Sequence, residues 1–246
     1  MKVTIITVVK NRERYIGDAI DSITNQSYKN IEHIIIDGNS SDDTWSVINR
    51  KKEKTAVLIR EDDDGIYDAL NKGVAMSSGD IIGVLHSDDI FAYNSVISDV
   101  VEEFSNNNIK WVYGDLDYIS SDESQRIIRK WIAGDFLQSK IKMGWMPPHP
   151  TVFVKSELIK NGQPYNTKYK ISSDYDFLLN LILPNHLSYS YIPKILVKMR
   201  IGGISNSGFI NILKKIYEDY QIVRSHSVGG LHTIFLKSIR KLGQFL

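Results

Sequence analysis

The stretch DIIGVLHSDD, residues 80–89, decides how this chain is read. An apolar run stops abruptly at His86, Ser87, Asp88 and Asp89. Two carboxylates side by side are costly unless water, a donor or a cation satisfies them. Two arrangements would do so. One is a solvated turn with Ser87 as a helix cap and the acids near a helix N-terminus. The other is a divalent metal seeking oxygen ligands.

Outward from this point the chain alternates between two hydrophobic periods. VTIITVV (Val3–Val9) is a continuous β-branched run, as expected of a strand buried on both faces. Ile16, Ala19, Ile20 and Ile23 follow at helical spacing. IEHIIID (Ile31–Asp37) reads as a second strand and TAVLIRE (residues 55–61) as a third. Ile66, Leu70 and Val74 mark a helix ending near SSGD, before the fourth strand, DIIGVLH. A helix bearing Ile97, Val100, Val101 and Phe104 then leads to the strand KWVYGDLDYI. This succession predicts βαβ units and an α/β fold with a mainly parallel sheet flanked by helices. Ligands of such sheets bind outside the carboxyl ends of the strands. Asp37 ends strand two, Asp62, Asp63 and Asp64 follow strand three, and Asp88 and Asp89 follow strand four. Three acidic clusters therefore gather on one edge.

Composition narrows the function classes. The 246 residues are 42% hydrophobic and 24% charged, which suits one large domain with or without an appendage. The absence of cysteine excludes thiol chemistry, cysteine zinc sites and a disulfide scaffold, and fits a reducing, cytoplasmic compartment. A net charge of +1 argues against nucleic acid as a partner. The opening MKVTIITVVKNRERYIG is too short in its apolar part, and too soon charged, for a secretory signal. No run approaches the roughly 18 apolar residues of a spanning helix, so a soluble or membrane-peripheral protein is expected.

Beyond about residue 120 the pattern loosens. GWMPPHPTVFVKSELI reads as a proline-rich turn, a strand and a short helix. Tyr175, Leu178, Leu179 and Ile182 give a helix starting near SSDYD, where Ser172 or Ser173 would cap it and Asp174 would sit in its first turn. Residues 187–200 read as strand material. Two apolar stripes close the chain: Phe209, Leu213, Ile216, Tyr220 and Val223, then Leu231, Ile234, Phe235, Ile239 and Leu242. Lys214, Lys215, Arg224, Lys237, Arg240 and Lys241 decorate them. A helical pair packed on the domain is the expectation, and a surface approaching anionic lipid is the alternative.

The order TIITVVKNRERYIGDAIDSITNQSYKNIEHIIIDGNSSDDT, then EDDDGIYDALNKGVAMSSGDIIGVLHSDD, resembles the family-2 glycosyltransferases, over roughly residues 1 to 200. The GIYDALNKG form is most similar to bacterial transferases of surface-polysaccharide assembly. The resemblance implies a GT-A-like (Rossmann-like) fold and inverting transfer from a nucleotide-diphosphate sugar, UDP by family habit. The backbone around Val8 to Lys10, before Asn11, would hold the nucleotide base, although the family's usual Pro-Thr-Tyr is Val8-Val9-Lys10 here. Asp37 would accept from the base, and Asp63 stands where the family has a second base-contacting acid. His86, Ser87, Asp88 and Asp89 occupy the family's Asp-x-Asp-Asp segment, with His86 replacing the first acid. Asp88, with Asp89 and with His86 as a further candidate, would hold Mn²⁺ or Mg²⁺.

A departing diphosphate develops negative charge that a cation offsets, and inversion needs a base on the opposite face of the sugar. The family's acid at this helix start aligns with Asp174, with Asp176 as runner-up. His149, in PPHPTVF, and Trp145 are candidates for the acceptor side, each with a packing role as its alternative. The expected domains are a transferase domain at 1–205, divided into a nucleotide-sugar half (1–119) and an acceptor half (120–205), and a helical extension at 206–246. The expected acceptor is a glycan or polyprenyl-linked glycan at the inner face of the cytoplasmic membrane. Two other classes compete. A sugar-nucleotidyltransferase usually opens with a glycine-rich phosphate loop, and TVVKNRERY has none. An inactive transferase-like binding module is left open by the histidine at position 86.

Overall fold

The computed structural model describes residues 1–52, 56–106, 108–184, 187–202, 209–242 and 244. The first half runs β1 (Val3–Val9), α1 (Ile16–Thr24), β2 (Ile31–Asp37), α2 (Thr44–Lys51), β3 (Val57–Arg60), α3 (Ile66–Met76), β4 (Ile81–Val84), β5 (Asp89–Phe91) and α4 (Val96–Asn106). The second half runs β6 (Trp111–Ile119), β7 (Ile127–Trp131), α5 (Gln138–Ile141), a 3-10 turn (His149–Thr151), β8 (Phe153–Lys155), a second turn (Ser156–Leu158), α6 (Ser173–Ile182) and β9 (Tyr189–Arg200). Helices α7 (Phe209–Ser225) and α8 (Leu231–Leu242) follow.

β1 explains the arrangement. Every one of its residues is buried because alternate side chains feed two different cores. Ile6 and Val8 join residues of α3, α6 and α7, whereas Val3 and Ile5 join Ile23 of α1 and Ile97 and Val100 of α4. Val9 packs with Ile16, Ile20, Ile35 and Ile48, between the first two helices and the sheet. A strand covered on both faces is β-branched and largely apolar, and its two threonines are paired: Thr4 donates to Glu32 and Thr7 pairs with His33.

The sheet order is β3-β2-β1-β4-β8-β6-β9-β5, with β7 added beside β6. β1 pairs in parallel with β2 on one side and β4 on the other. The chain thus moves outward from β1 to β3 and returns across β1 to β4, creating a topological switch point at their carboxyl ends. The parallel expectation holds for these strands. The second half is mixed: β8 runs antiparallel to β4 and β6, β5 antiparallel to β9, and β6 parallel to β9.

Three sequence expectations change. The third strand starts at Val57, and Thr55 of the expected TAVLIRE lies outside the described residues. Asp89 is not in the loop after β4 but opens β5, opposite Met199 of β9. The closing helices contribute Ile222, Val223 and Ile234 to the core beside α6, yet Leu213, Ile216, Leu231, Phe235 and Ile239 of the expected stripes are exposed. A core-facing helix buries only the arc turned toward the sheet, and these residues lie outside it.

Candidate active site

The strand ends at the switch point carry the first group of residues. Asp37, the last residue of β2, is buried. Its Oδ1 accepts from the Ser40 N–H at 3.2 Å and from the Ser40 hydroxyl. Its Oδ2 has no hydrogen bond and faces the Arg60 guanidinium at 3.3 Å. Asp63 is half-buried, and its Oδ1 accepts from the Gly65 N–H at 3.0 Å. Its other oxygen lies so close over Gly38 that any Cβ there would collide with it, and the Lys10 side chain flanks the same point. Lys10, Asp37 and Asp63 thus meet around Gly38.

Val8 is buried in β1. Asn11 stands just beyond that strand in the left-handed region, φ 53°. Its N–H donates to Ser40 Oγ at 2.9 Å and its side-chain oxygen accepts from the Ser41 N–H at 2.9 Å, which ties the β1 loop to the β2 loop.

After β4, His86 projects Nδ1 into the protein with no hydrogen-bond partner, and burial lowers its pKa while the charges of Asp88 and Asp174 oppose that shift. Ser87 is buried. Asp88 keeps an accessible carboxylate, 3.7 Å from Arg12 Nε. Arg200, at the end of β9, donates to the Asp88 carbonyl at 3.0 Å and to Asp18 Oδ2 at 2.6 Å. A cleft of about 360 Å³ opens here, lined by Asn11, Arg12, Arg14, Asp88, Ser121 and Arg200.

Asp89 differs. β5–β9 pairing draws its side chain inside, where neither carboxylate oxygen has a hydrogen bond. Burial and the Asp88 charge push its pKa well above the usual range. Asp89 is thus an interior residue, whereas Asp88 keeps its carboxylate accessible. Among the described residues no three histidine or acidic side chains converge as a metal-holding group. The donors that fit an ion are the accessible Asp88 carboxylate and the unpartnered His86 Nδ1. Mn²⁺ accepts that mixture, provided water or phosphate oxygens complete its shell.

The opposite wall is α6. Asp174 Oδ1 accepts from the Tyr175 N–H at 2.9 Å and lies 3.4 Å from the Tyr67 hydroxyl, which donates to the Ile171 carbonyl at 2.7 Å. Asp174 Oδ2 has no hydrogen bond among the described residues, which leaves it available. His149 Nε2 pairs with the Tyr165 hydroxyl at 2.9 Å, and its ring lies 6.1 Å from that of His86. Burial pulls the His149 pKa down to about 4, against the Asp174 charge.

Two further candidates are engaged elsewhere. Asp176 is engaged in a pair with His226, in the turn after α7, at 2.8 Å. Trp145 donates from Nε1 to the Ala133 carbonyl at 2.8 Å and packs between Phe136 and Tyr113, so no ring face is free for a sugar.

The segment leading into α6 is held from a distance. Neither Ser172 nor Ser173 makes the expected cap, and both hydroxyls are buried without partners. Instead Glu218 of α7 accepts the N–H groups of Lys170, Ile171 and Ser172, each at 2.9 Å. These N–H groups belong to the segment that leads into α6, so Glu218 fixes that approach, and its carboxylate also faces the favourable end of the helix dipole. Behind it Lys237 of α8 pairs with Asp219 at 2.9 Å in the interior and sits over the Tyr175 ring. Arg12, Arg200, Tyr67 and Glu218 were not legible as site residues. Arg12 reads as the polar end of an apolar run, and the others act across 46 to 182 positions of sequence.

The family model for glycosyl transferase family 2 matches residues 4–164. An uncharacterized glycosyltransferase of Mycobacterium tuberculosis is 31% identical over 189 residues, covering 74% of this chain and 69% of that protein. A PGL/p-HBAD biosynthesis glycosyltransferase of Mycobacterium tuberculosis is 25% identical over 211 residues, covering 83% of this chain and 79% of that protein. Among solved structures, S. aureus TarS 1-349 in complex with UDP-GlcNAc superposes with a TM-score of 0.70 at 15% identity, over 93% of this chain and 66% of that one. A mannosyltransferase of Pyrobaculum calidifontis in complex with GDP-Man and Mn²⁺ superposes with a TM-score of 0.66 at 15% identity, over 96% of this chain and 69% of that one. At such identities the structural likeness is one of fold.

Two stability measurements test this geometry. Glu218→Ala strands three N–H groups and should cost about 2 kcal/mol in urea titration, with Glu218→Gln costing about half of that. His149 stays neutral when folded but protonates below pH 6.5 when unfolded. The unfolded state then binds more protons, so stability should fall as pH drops from 6.5 to about 4, by on the order of 3 kcal/mol from this residue. Urea titrations of wild type and His149→Asn at pH 7 and near pH 4.5 check the direction, and the variant should lose part of the slope.

Proposed function

Because this chain belongs to glycosyl transferase family 2, we propose that it moves a sugar, with inversion, from a nucleotide-diphosphate donor to a hydroxyl of a glycan or lipid-linked glycan. The observation that carries this is the position of His86. It follows β4, two residues before the accessible carboxylate of Asp88 on the donor side, and its ring lies 6.1 Å from that of His149 on the acceptor side. A reacting centre needs that separation: charge handled on one side, a base on the other.

In this reading the loops after β1 and β2 hold the nucleoside, with Val8, Lys10 and Asn11 lining it and Asp37 and Asp63 accepting from it. UDP is the proposed nucleotide, and the UDP-GlcNAc carried by TarS supports that choice. Ser87 and Asp88 lie against the diphosphate. Mn²⁺ or Mg²⁺ held by Asp88 and His86 would neutralise charge on the leaving diphosphate. Arg12 and Arg200 border the same cleft and add positive charge beside it. Asp174 Oδ2 takes the proton of the acceptor hydroxyl. The hydroxyl oxygen then bonds the anomeric carbon as the carbon–diphosphate bond breaks, and the diphosphate leaves with the electron pair. His149, neutral at ordinary pH, lines the acceptor side without competing for that proton. The cytoplasmic face of a membrane is the proposed place of action, where a polyprenyl-linked glycan of surface-polysaccharide assembly would be met.

Two experiments test this. Calorimetric titration with UDP, GDP and dTDP, in Mn²⁺ and then in EDTA, should show one nucleotide bound, with at least about tenfold loss in Asp88→Ala. Binding of none would overturn the reading. Asp174→Asn should lower kcat by about 10²–10⁴-fold with donor affinity nearly unchanged. Near wild-type transfer by that variant would remove Asp174 from its role.

A further inference from the structure

We propose that the outer face of α7 and α8 docks on an anionic lipid surface. Ile210, Leu213 and Tyr217 recur at i, i+3 and i+7 on α7, and Leu231, Phe235 and Ile239 at i, i+4 and i+8 on α8. All six are between 43% and 70% exposed. The opposite arcs, with Ile222, Val223 and Ile234, are the ones that meet the core. Each helix therefore presents one apolar arc to the protein and a second to the outside. A helix that only packs on a domain carries polar residues on its outer arc, so these stripes need another explanation.

Charge identifies the occupant. The two helices contain only two acids, Glu218 and Asp219, and both are turned inward, to the α6 N-terminus and to Lys237. Among the described side chains of the helices the exposed charged ones are Lys214, Arg224 and Arg240, and the described residues show no ion pair to them. By helical spacing Lys214 and Arg224 flank the Ile210–Leu213–Tyr217 stripe of α7, and neither acid of the two helices lies on it. An aqueous protein partner would usually meet both signs across its rim. An anionic bilayer matches this face: side chains such as Phe235, Leu213 and Tyr217 enter the interfacial zone while lysine and arginine meet the headgroups. No helix among the described residues is long and apolar enough to cross a membrane, so the contact is one of lying on the surface. Lipid docking by this face does not depend on which reaction the switch-point cleft performs.

Co-sedimentation of the whole chain with phosphatidylcholine vesicles, and with vesicles containing about one-third phosphatidylglycerol, tests this. Binding is expected to the anionic vesicles only, and to weaken at least about tenfold between about 0.05 and 0.5 M salt. Leu213→Gln and Phe235→Gln should each lose roughly tenfold or more, and Lys214→Gln roughly fivefold. These side chains are solvent-exposed, so thermal unfolding of the variants should match wild type and leave the comparison interpretable. No binding, equal binding to neutral vesicles, or variants that bind as wild type would overturn the proposal. So would a wild-type dimer that Phe235→Gln converts to monomer without change in vesicle binding, which would make this face a contact between copies of the chain.

Discussion

The parallel pairing of β1 with β2 on one edge and β4 on the other is the constraint on which the rest depends. It fixes three carboxyl ends side by side, at the point where the chain reverses its direction of travel across the sheet. A polar segment leaving those ends cannot avoid the common cleft. Asp37, Asn11 and Asp88 come from separate parts of the sequence, yet all follow from strand length. The apolar run sets how far each strand extends, and the polar residues at or just beyond its end gather at the switch point.

The facing wall is built by a different kind of force. α6 carries Asp174 but lacks a working cap of its own, since the hydroxyls of Ser172 and Ser173 are turned inward. Glu218 of α7 holds the segment leading into α6, and the Asp176–His226 and Asp219–Lys237 pairs tie α6 to the turn after α7 and α7 to α8. Buried ion pairs contribute little net stability, but breaking one partner is costly, so they specify geometry. The closing helices therefore do two things with opposite faces. Their inner arcs and acids hold the helix that bears Asp174, and their outer arcs are left apolar and basic. The inward use of both acids is what keeps negative charge off the α7 stripe.

Much of the fold was legible. β1 and β2 begin and end where the β-branched runs do, and α1, α3 and α4 carry the residues that helical spacing marked. Parts of the site were legible for the same reason, because Asp37, Asp63 and Asp88 sit where apolar runs stop. Other roles were not. Asp88 and Asp89 are identical letters side by side, and only the pairing of β5 with β9 turns one inward and leaves the other accessible. Asp174 and Asp176 are two positions apart on one helix, and which of them is free depends on where His226 lies. Trp145 is committed by Ala133, Phe136 and Tyr113, partners that no local pattern announces.

By itself the sequence determined the local periods, the strand ends and the acids placed there, because side-chain alternation and helical spacing are properties of short segments. Only the tertiary structure decided which acid is buried, which is capped by a neighbour and which faces the cleft. Those outcomes are set by burial and by partners distant in the chain, and desolvation and hydrogen bonding act on a carboxylate through what surrounds it rather than through its place in the sequence.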